Sequence, residues 1–173
     1  VGVIRDITER HAFEQKLMEL ATRDSLTGAL NRRAFLEQME GALQSSRRHG
    51  HGLSVLLNDA DHLKQTNYTQ AHQTGDKVLI HLAGLAQDCL RGTDRFARWG
   101  GEEFVALLPE TDGGQAVEVA ERLLAAVRRA SVSSDAGIVV PFRVSIGIAS
   151  LAGEVADGEK LIQQADEALY RAK

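Results

Sequence analysis

Residues 95–108 read Arg95-Phe96-Ala97-Arg98-Trp99-Gly100-Gly101-Glu102-Glu103-Phe104-Val105-Ala106-Leu107-Leu108. Two strand-like runs flank a Gly-Gly pair. Tight hairpin connections need positive φ, which glycine adopts without steric cost. The stretch therefore predicts a β-hairpin, roughly 94–99 and 102–108, with Glu102 and Glu103 at its tip. Adjacent carboxylates on a rigid tip repel each other unless a cation or a substrate group sits between them. The tip is thus the first candidate for chemistry.

Working outward, Leu53-Ser54-Val55-Leu56-Leu57 is an apolar run of strand length. Helical periodicity predicts helices over about 75–90, 115–129 and 158–173, with Val117, Ala120, Leu123, Leu124 and Val127 on one side of the second. Alternation over 142–149 predicts a strand. The order is β-α-β-β-α-β, the ferredoxin-like unit of an α/β (α+β) domain, with a mainly antiparallel sheet and flanking helices. A right-handed crossover makes the first and second strands parallel. The third is then inserted between them, antiparallel to both. That topology puts the exit of the first strand and the hairpin tip at the same end of the sheet. At the exit stands Asn58-Asp59-Ala60-Asp61.

Upstream, Val1-Gly2-Val3-Ile4 reads as a strand. Asp6 with Glu9 reads as a capping box opening a helix that runs to about Thr22. Its stripe of Phe13, Leu17, Leu20 and Ala21 suits either packing on its own domain or a dimerising linker. Residues 24–31 form a turn-rich break, and a further helix runs to about Arg48, ended by Gly50 and Gly52.

The 173 residues fit one ordinary domain with a short extension. No apolar run approaches the roughly 18–20 residues of a membrane helix, so this segment is expected to make no membrane contact. Residues 1–6 carry no secretory leader, and the expected location is cytoplasmic, with a membrane anchor upstream in the full-length protein as the alternative. A start at Val rather than Met reads as a piece of a longer protein. The net charge of −4 argues against a general nucleic-acid surface. An anionic ligand would need local cations or a metal. Cys89 is the only cysteine, which rules out an internal disulfide; its neighbours suit an inert core thiol.

Asp59 and Asp61 meet Glu102 and Glu103 by topology. Taken alone, acids at a strand end are solvated loop residues. Two converging clusters favour a hard oxygen site for Mg²⁺, of the kind used in two-metal phosphoryl transfer. Free N–H groups over 60–63 could receive phosphate oxygens, and Lys64 adds a positive charge. Asn67, His72 and Asp76 form a second polar cluster. An Asp can accept from the N1–H and exocyclic amine of guanine, although a turn former, a surface histidine and a helix-start charge are the ordinary alternatives. Arg91-Gly92-Thr93-Asp94 reads as a helix end, with Arg91 on the dipole and Gly92 as a left-handed stop.

Taken together these residues closely resemble the GGDEF domain family of diguanylate cyclases over roughly 21–173, with Glu102 in the variable third place. The match runs through Asp24-Ser25-Leu26-Thr27-Gly28, Leu30-Asn31-Arg32-Arg33 and Asp59-Ala60-Asp61-His62-Leu63-Lys64. It continues with Asn67, His72, Gly75-Asp76, the 100–104 signature, Val144-Ser145-Ile146-Gly147 and Ala165-Asp166-Glu167-Ala168-Leu169-Tyr170. Residues 1–10 resemble the end of a PAS-like sensor domain, which makes 11–22 a linker or signalling helix and 23–173 the cyclase domain.

The resemblance implies a fold like that of nucleotidyl cyclases and polymerase palms. It also implies condensation of two GTP into cyclic di-GMP, with release of two pyrophosphates, by a homodimer under an upstream sensor. Two Mg²⁺ (or Mn²⁺) ions per site would be held by Asp59, the carbonyl of Ala60 and Glu103. Glu102 and Glu103 are the implied catalytic residues, and Glu102 would help deprotonate the 3′-hydroxyl. Gly100, Gly101, Leu63, Lys64, Asn67, His72, Asp76 and Lys173 are implied at the GTP site, with Asn67 and Asp76 on guanine and Lys173 on phosphate. Arg91, Asp94 and Arg122 are implied as an inhibitory site for the product.

The chain departs from the family pattern at Tyr68, Ala71 and Leu63, which bears on affinity. The sequence also ends before an arginine that normally follows Lys173, so weaker triphosphate binding is expected. The rival reading is a non-enzymatic module that binds GTP or cyclic di-GMP. A cyclase using ATP is disfavoured, because Asp76 suits guanine.

Overall fold

The computed structural model describes residues 2–61, 63, 72–151 and 157–173, giving the backbone alone for 2–8 and 72. Its elements are α1 (Gly2–Thr22), α2 (Arg32–His49), β1 (Leu53–Asp61), α3 (His72–Cys89), β2 (Arg95–Gly100), β3 (Glu103–Pro109), α4 (Gly113–Arg128), β4 (Ser131–Ser133), β5 (Val139–Pro141), β6 (Arg143–Ser150) and α5 (Gly158–Ala172). The central sheet has the order β2-β3-β1-β6. β3 is antiparallel to both β1 and β2, and β6 is antiparallel to β1. The split β-α-β arrangement expected from the sequence is therefore present.

Both faces of the sheet are covered. Leu56, Ala60, Phe104, Ala106 and Leu108 join Val78, Leu82 and Ala86 of α3 and Ala116, Ala120 and Leu123 of α4 in one core layer. Val55, Leu57, Val105 and Leu107 join Phe35, Met39 and Leu43 of α2 and Leu161, Ala165 and Leu169 of α5 in the other. Successive strand residues point to opposite faces, so a strand buried on both sides reads as one continuous apolar run. Ser54, Asn58 and Asp59 are the buried polar residues that interrupt the run in β1, and Asn58 stands apart among them. Its amide is buried, and neither polar atom finds a partner among the described residues.

Gly147 sets how closely α5 lies on β6. A Cβ there would overlap the backbone at Ala165 and Leu169. This close approach fixes the position of the α5 C-terminus, and with it Lys173.

Local chemistry sets the helix ends. Asn31 caps α2 by accepting from the Ala34 N–H, and Gly50 closes it at φ 68°. Asp112 and Gln115 form a reciprocal capping box that starts α4 at Gly113, two residues before the periodicity suggested.

Several expectations are corrected. The run at 1–4 does not form a strand: from Gly2 onward it belongs to α1. A lone strand leaves its backbone groups unpaired, whereas a helix satisfies them internally. In the hairpin, Gly100 pairs with Glu103, so the two-residue turn is Gly101-Glu102, one position later than read. Only Gly101 of the pair has positive φ, at 51°. A bulge at Trp99 absorbs the shift. Val117 is 44% exposed, and the buried face of α4 is Ala116, Val119, Ala120, Leu123 and Val127. Gly92 is not left-handed. Cys89 is half-buried rather than fully enclosed. The short β4–β5 hairpin was not anticipated. Among the described side chains of α1, the large apolar ones do not pack on the domain: Phe13 is 64% exposed, and Leu17, Met18 and Leu20 are also exposed. Among the described residues no helix is long and apolar enough to cross a membrane.

Candidate active site at the hairpin tip

The exit of β1 and the β2–β3 turn meet at one end of the sheet. Asp59 is the register partner of Glu103 on β3 and of Ser145 on β6. Cross-strand partners share a face, so these side chains stand together on the α2/α5 side. The Ala60 N–H donates to the Glu102 carbonyl at 3.1 Å, which ties the turn to β1. The structure thus brings Asp59, Ala60, Glu102 and Glu103 together.

Lys173, at the end of α5, reaches the same point. Its Nζ lies 2.9 Å from Asp59 Oδ2. Burial favours a lower Lys173 pKa, but the bond to Asp59 and the charges of Asp59, Glu103 and Asp61 outweigh it and hold the ammonium above its ordinary value. The Glu103 carboxyl is raised, first by burial and then by Asp59, Asp166 and Glu102, with Lys173 opposing. Asp61 is engaged differently: its Oδ1 accepts from Ser145 Oγ at 2.8 Å.

The two tip glutamates open on different clefts. Glu102 shares one of about 640 Å³ with Asp59, Asp61, Ser145, Arg143 and Lys173. Glu103 shares one of about 460 Å³ with Trp99, Arg32 and Asp166. Among the described residues no group of three His, Cys, Asp or Glu could by itself hold a metal ion. Asp59 and Glu103 still offer a paired carboxylate site whose repulsion a cation would relieve. That fits Mg²⁺, which commonly takes one or two carboxylates and completes its shell with water and substrate phosphate.

One part of the site was missed by sequence reasoning. The Arg98 guanidinium donates twice to the Gly101 carbonyl, from Nε at 3.0 Å and Nη2 at 2.8 Å. Its Nη1 reaches both Asp24 oxygens at 3.3 Å. Asp24 in turn accepts from the Thr27 N–H at 2.9 Å and Thr27 Oγ1 at 2.8 Å. Burial raises Asp24, yet the Thr27 bonds and the Arg98 charge together hold its carboxyl below the usual range. The turn after α1 therefore braces the hairpin tip. The available signal was an Asx-type turn at residue 24 and an arginine two residues before the glycines.

Of the second cluster, Asn67 lies outside the described residues, as do Lys64, Tyr68 and Ala71. His72 opens α3, earlier than the start read at Gly75, and Asp76 is exposed in its second turn. Leu63 is buried in the α3/α4 core layer. In the third cluster, Asp94 is buried and its Oδ2 accepts from the Arg91 N–H at 2.8 Å. Its Oδ1 is buried without a partner among the described residues. Arg91 and Asp94 line a cleft of about 350 Å³ with Arg95 and Arg23. Arg122 donates to the Cys89 carbonyl at 2.6 and 3.2 Å, at the end of α3 that leads into this turn.

Known proteins share the sequence pattern and fold of this chain. The family described as "Diguanylate cyclase, GGDEF domain" matches residues 21–173. Diguanylate cyclase DgcM of Escherichia coli is 39% identical over 171 residues, covering 99% of this chain and 40% of its own length. The chain thus spans about two fifths of that relative. The solved GGDEF domain of TpbB (YfiN) from Pseudomonas aeruginosa is 35% identical, with a TM-score of 0.82, covering 87% of this chain and 88% of that one. The GGDEF domain of DgcB from Caulobacter crescentus, solved in complex with c-di-GMP, is 29% identical with a TM-score of 0.83, covering 87% of this chain and 86% of that one. With the family pattern matched over nearly its whole length, the chain belongs to the GGDEF family of diguanylate cyclase domains.

Proposed function

We propose that this domain condenses two GTP molecules into cyclic di-GMP, with release of two pyrophosphates. The observation that carries the reading is the convergence of Asp59, Glu102 and Glu103 beside Lys173.

Asp59, the Ala60 carbonyl and Glu103 would hold Mg²⁺ or Mn²⁺, two ions per site. Such ions neutralise the triphosphate and favour ionisation of the attacking hydroxyl. Glu102, in the turn, accepts the proton of the ribose 3′-hydroxyl. The 3′-oxygen bonds to the α-phosphorus of the other GTP, and the bond from that phosphorus to the pyrophosphate oxygen breaks. Lys173 exchanges Asp59 for the departing phosphates. Asp76 and Asn67 read guanine, and His72 stands at the same GTP site.

One domain holds one GTP, so two domains must face each other for mutual attack. That alignment is the proximity term of catalysis. The exposed stripe of α1 is the element that would pair the two domains, and an upstream PAS-like sensor would act through it. Arg91, Asp94 and Arg122 would bind the product and lower activity. The buried Asp94 oxygen beside the open cleft, which has no partner among the described residues, favours a ligand there.

Incubation with GTP and Mg²⁺ is expected to yield pyrophosphate and the cyclic dinucleotide. No turnover at high protein concentration, or with an enforced dimer, would overturn the catalytic reading. The binding-module reading would then rest on calorimetry with cyclic di-GMP, with binding lost in Arg91→Ala.

A further inference from the structure

We infer that Arg143 is a further phosphate-holding cation of this site, acting on the β- and γ-phosphates of the nucleotide. The inference rests on the GTP reading above. Arg143 opens β6 and is the register partner of Asp61, two positions along from the Asp59–Ser145 pair. At about 3.4 Å per residue its backbone lies roughly 7 Å along the strand from that pair. Strand alternation puts Arg143 on the same face as Asp59, Ser145 and Glu103. It lines the 640 Å³ cleft that also contains Glu102 and Lys173.

What sets Arg143 apart is that it is unspent. Among the described residues its guanidinium has no hydrogen bond or ion pair, and the residue is exposed. Its neighbours are committed. Lys173 is on Asp59, and Ser145 holds Asp61. A triphosphate entering here meets the negative charges of Asp59, Asp61 and Glu102, with Glu103 beside Asp59 on the neighbouring strand, and among the described residues that line the cleft Lys173 is the one other cation. A guanidinium is always charged, and its planar fork matches phosphate oxygens in pairs. Placed past the carboxylates, it meets the tail of the nucleotide rather than the base or the reacting α-phosphorus.

Calorimetry on the whole chain, with Ca²⁺ replacing Mg²⁺ to suppress turnover, tests this with GTP, GMP and inorganic pyrophosphate as probes. Arg143→Ala is expected to weaken GTP and pyrophosphate about tenfold, the order of one charge-assisted hydrogen bond. GMP affinity and the melting temperature should stay unchanged, and Arg143→Lys should recover part of the loss. In turnover assays KM for GTP should rise while kcat stays within about twofold. Unchanged GTP affinity in Arg143→Ala, alongside normal wild-type turnover, would overturn the inference and leave the proposed activity standing. Equal losses for GTP and GMP would also overturn it, since a general disturbance of the fold would then explain both. A wild-type chain that neither binds nor converts GTP would overturn both readings.

Discussion

Lys173 Nζ sits 2.9 Å from Asp59 Oδ2, so the C-terminal end of α5 is clamped onto the end of β1. The carboxylate side chain is 7% exposed and the ammonium side 44%, which makes Asp59 the partner that needs the contact. A buried carboxylate without a counter-charge is strongly disfavoured. Lys173→Ala should make the site more negative. Mg²⁺ titration without nucleotide is expected to show tighter binding, whereas KM for GTP should rise about tenfold for loss of a charged contact. Weaker binding of both would contradict the role given to Lys173.

Glu103 carries a pH signature. Its folded-state pKa lies above the ordinary 4.5, through burial and then the charges of Asp59, Asp166 and Glu102. The folded chain therefore holds this proton more tightly than the unfolded chain. Stability from this group is present below the ordinary pKa and falls as pH rises through the folded value. Glu103→Gln removes the repulsion, so the metal-free variant should melt higher than wild type at pH 7. The gap should narrow as pH is lowered toward the ordinary value. The same variant should lose cyclase activity. A variant that melts no higher at neutral pH would contradict the electrostatic assignment.

The sheet was legible because its strands are apolar runs between clear helical stretches, and one handedness rule then fixed which ends meet. The topology alone puts Asp59 beside Glu103. The finer register was not legible. A bulge at Trp99 moves the turn by one residue, and nothing in the Trp-Gly-Gly run distinguishes Gly100 in a strand from Gly100 in a turn. The strand expected at 1–4 failed because β-branched residues also enter helices when no sheet edge is near. The Asp24–Arg98 brace was invisible because its partners are 74 residues apart and neither residue type is diagnostic.

That brace makes its own prediction. Arg98 and Asp24 are each 20% exposed, and Arg98 holds the Gly101 carbonyl next to Glu102. Asp24→Ala removes the acceptor for Thr27 and Arg98. It should cost about 2 kcal/mol, the scale of a hydrogen bond to a charged group. Because the tip loses its support, kcat should fall more than GTP affinity. Asp24 is held below its ordinary pKa of 3.8, so its stabilisation is present above that value and is lost as pH falls through the depressed one. Denaturant melts of wild type and variant at pH 7 should differ, and should converge in strong acid.

Gly147 tests the link between packing and the site. A Cβ would collide with the α5 backbone at Ala165 and Leu169, which side-chain motion cannot relieve. Gly147→Ala should destabilise the fold by about 3 kcal/mol, at the upper end for overpacking. It should also displace Lys173 from Asp59. Gly84 has open space around it, so Gly84→Ala is the control and should be neutral or slightly stabilising. Equal melting temperatures for the two variants would refute the close-packing account.

The α1 stripe supplies the assembly prediction. Phe13, Leu17 and Leu20 are exposed, while the C-terminal end of α1 is anchored to the domain. Asn31 Nδ2 and Arg33 Nη2 each donate to the Ala21 carbonyl at 2.9 Å. An apolar helix face fixed at one end and exposed from Phe13 to Leu20 is suited to a second copy. Leu17→Glu with Leu20→Glu should leave the melting temperature of the domain nearly unchanged, because neither residue packs on it. Light scattering should show a shift toward monomer, and specific activity should become steeply dependent on protein concentration. If the double variant stayed dimeric and fully active at low concentration, α1 would not be the pairing element, and the two sites would have to meet through another surface.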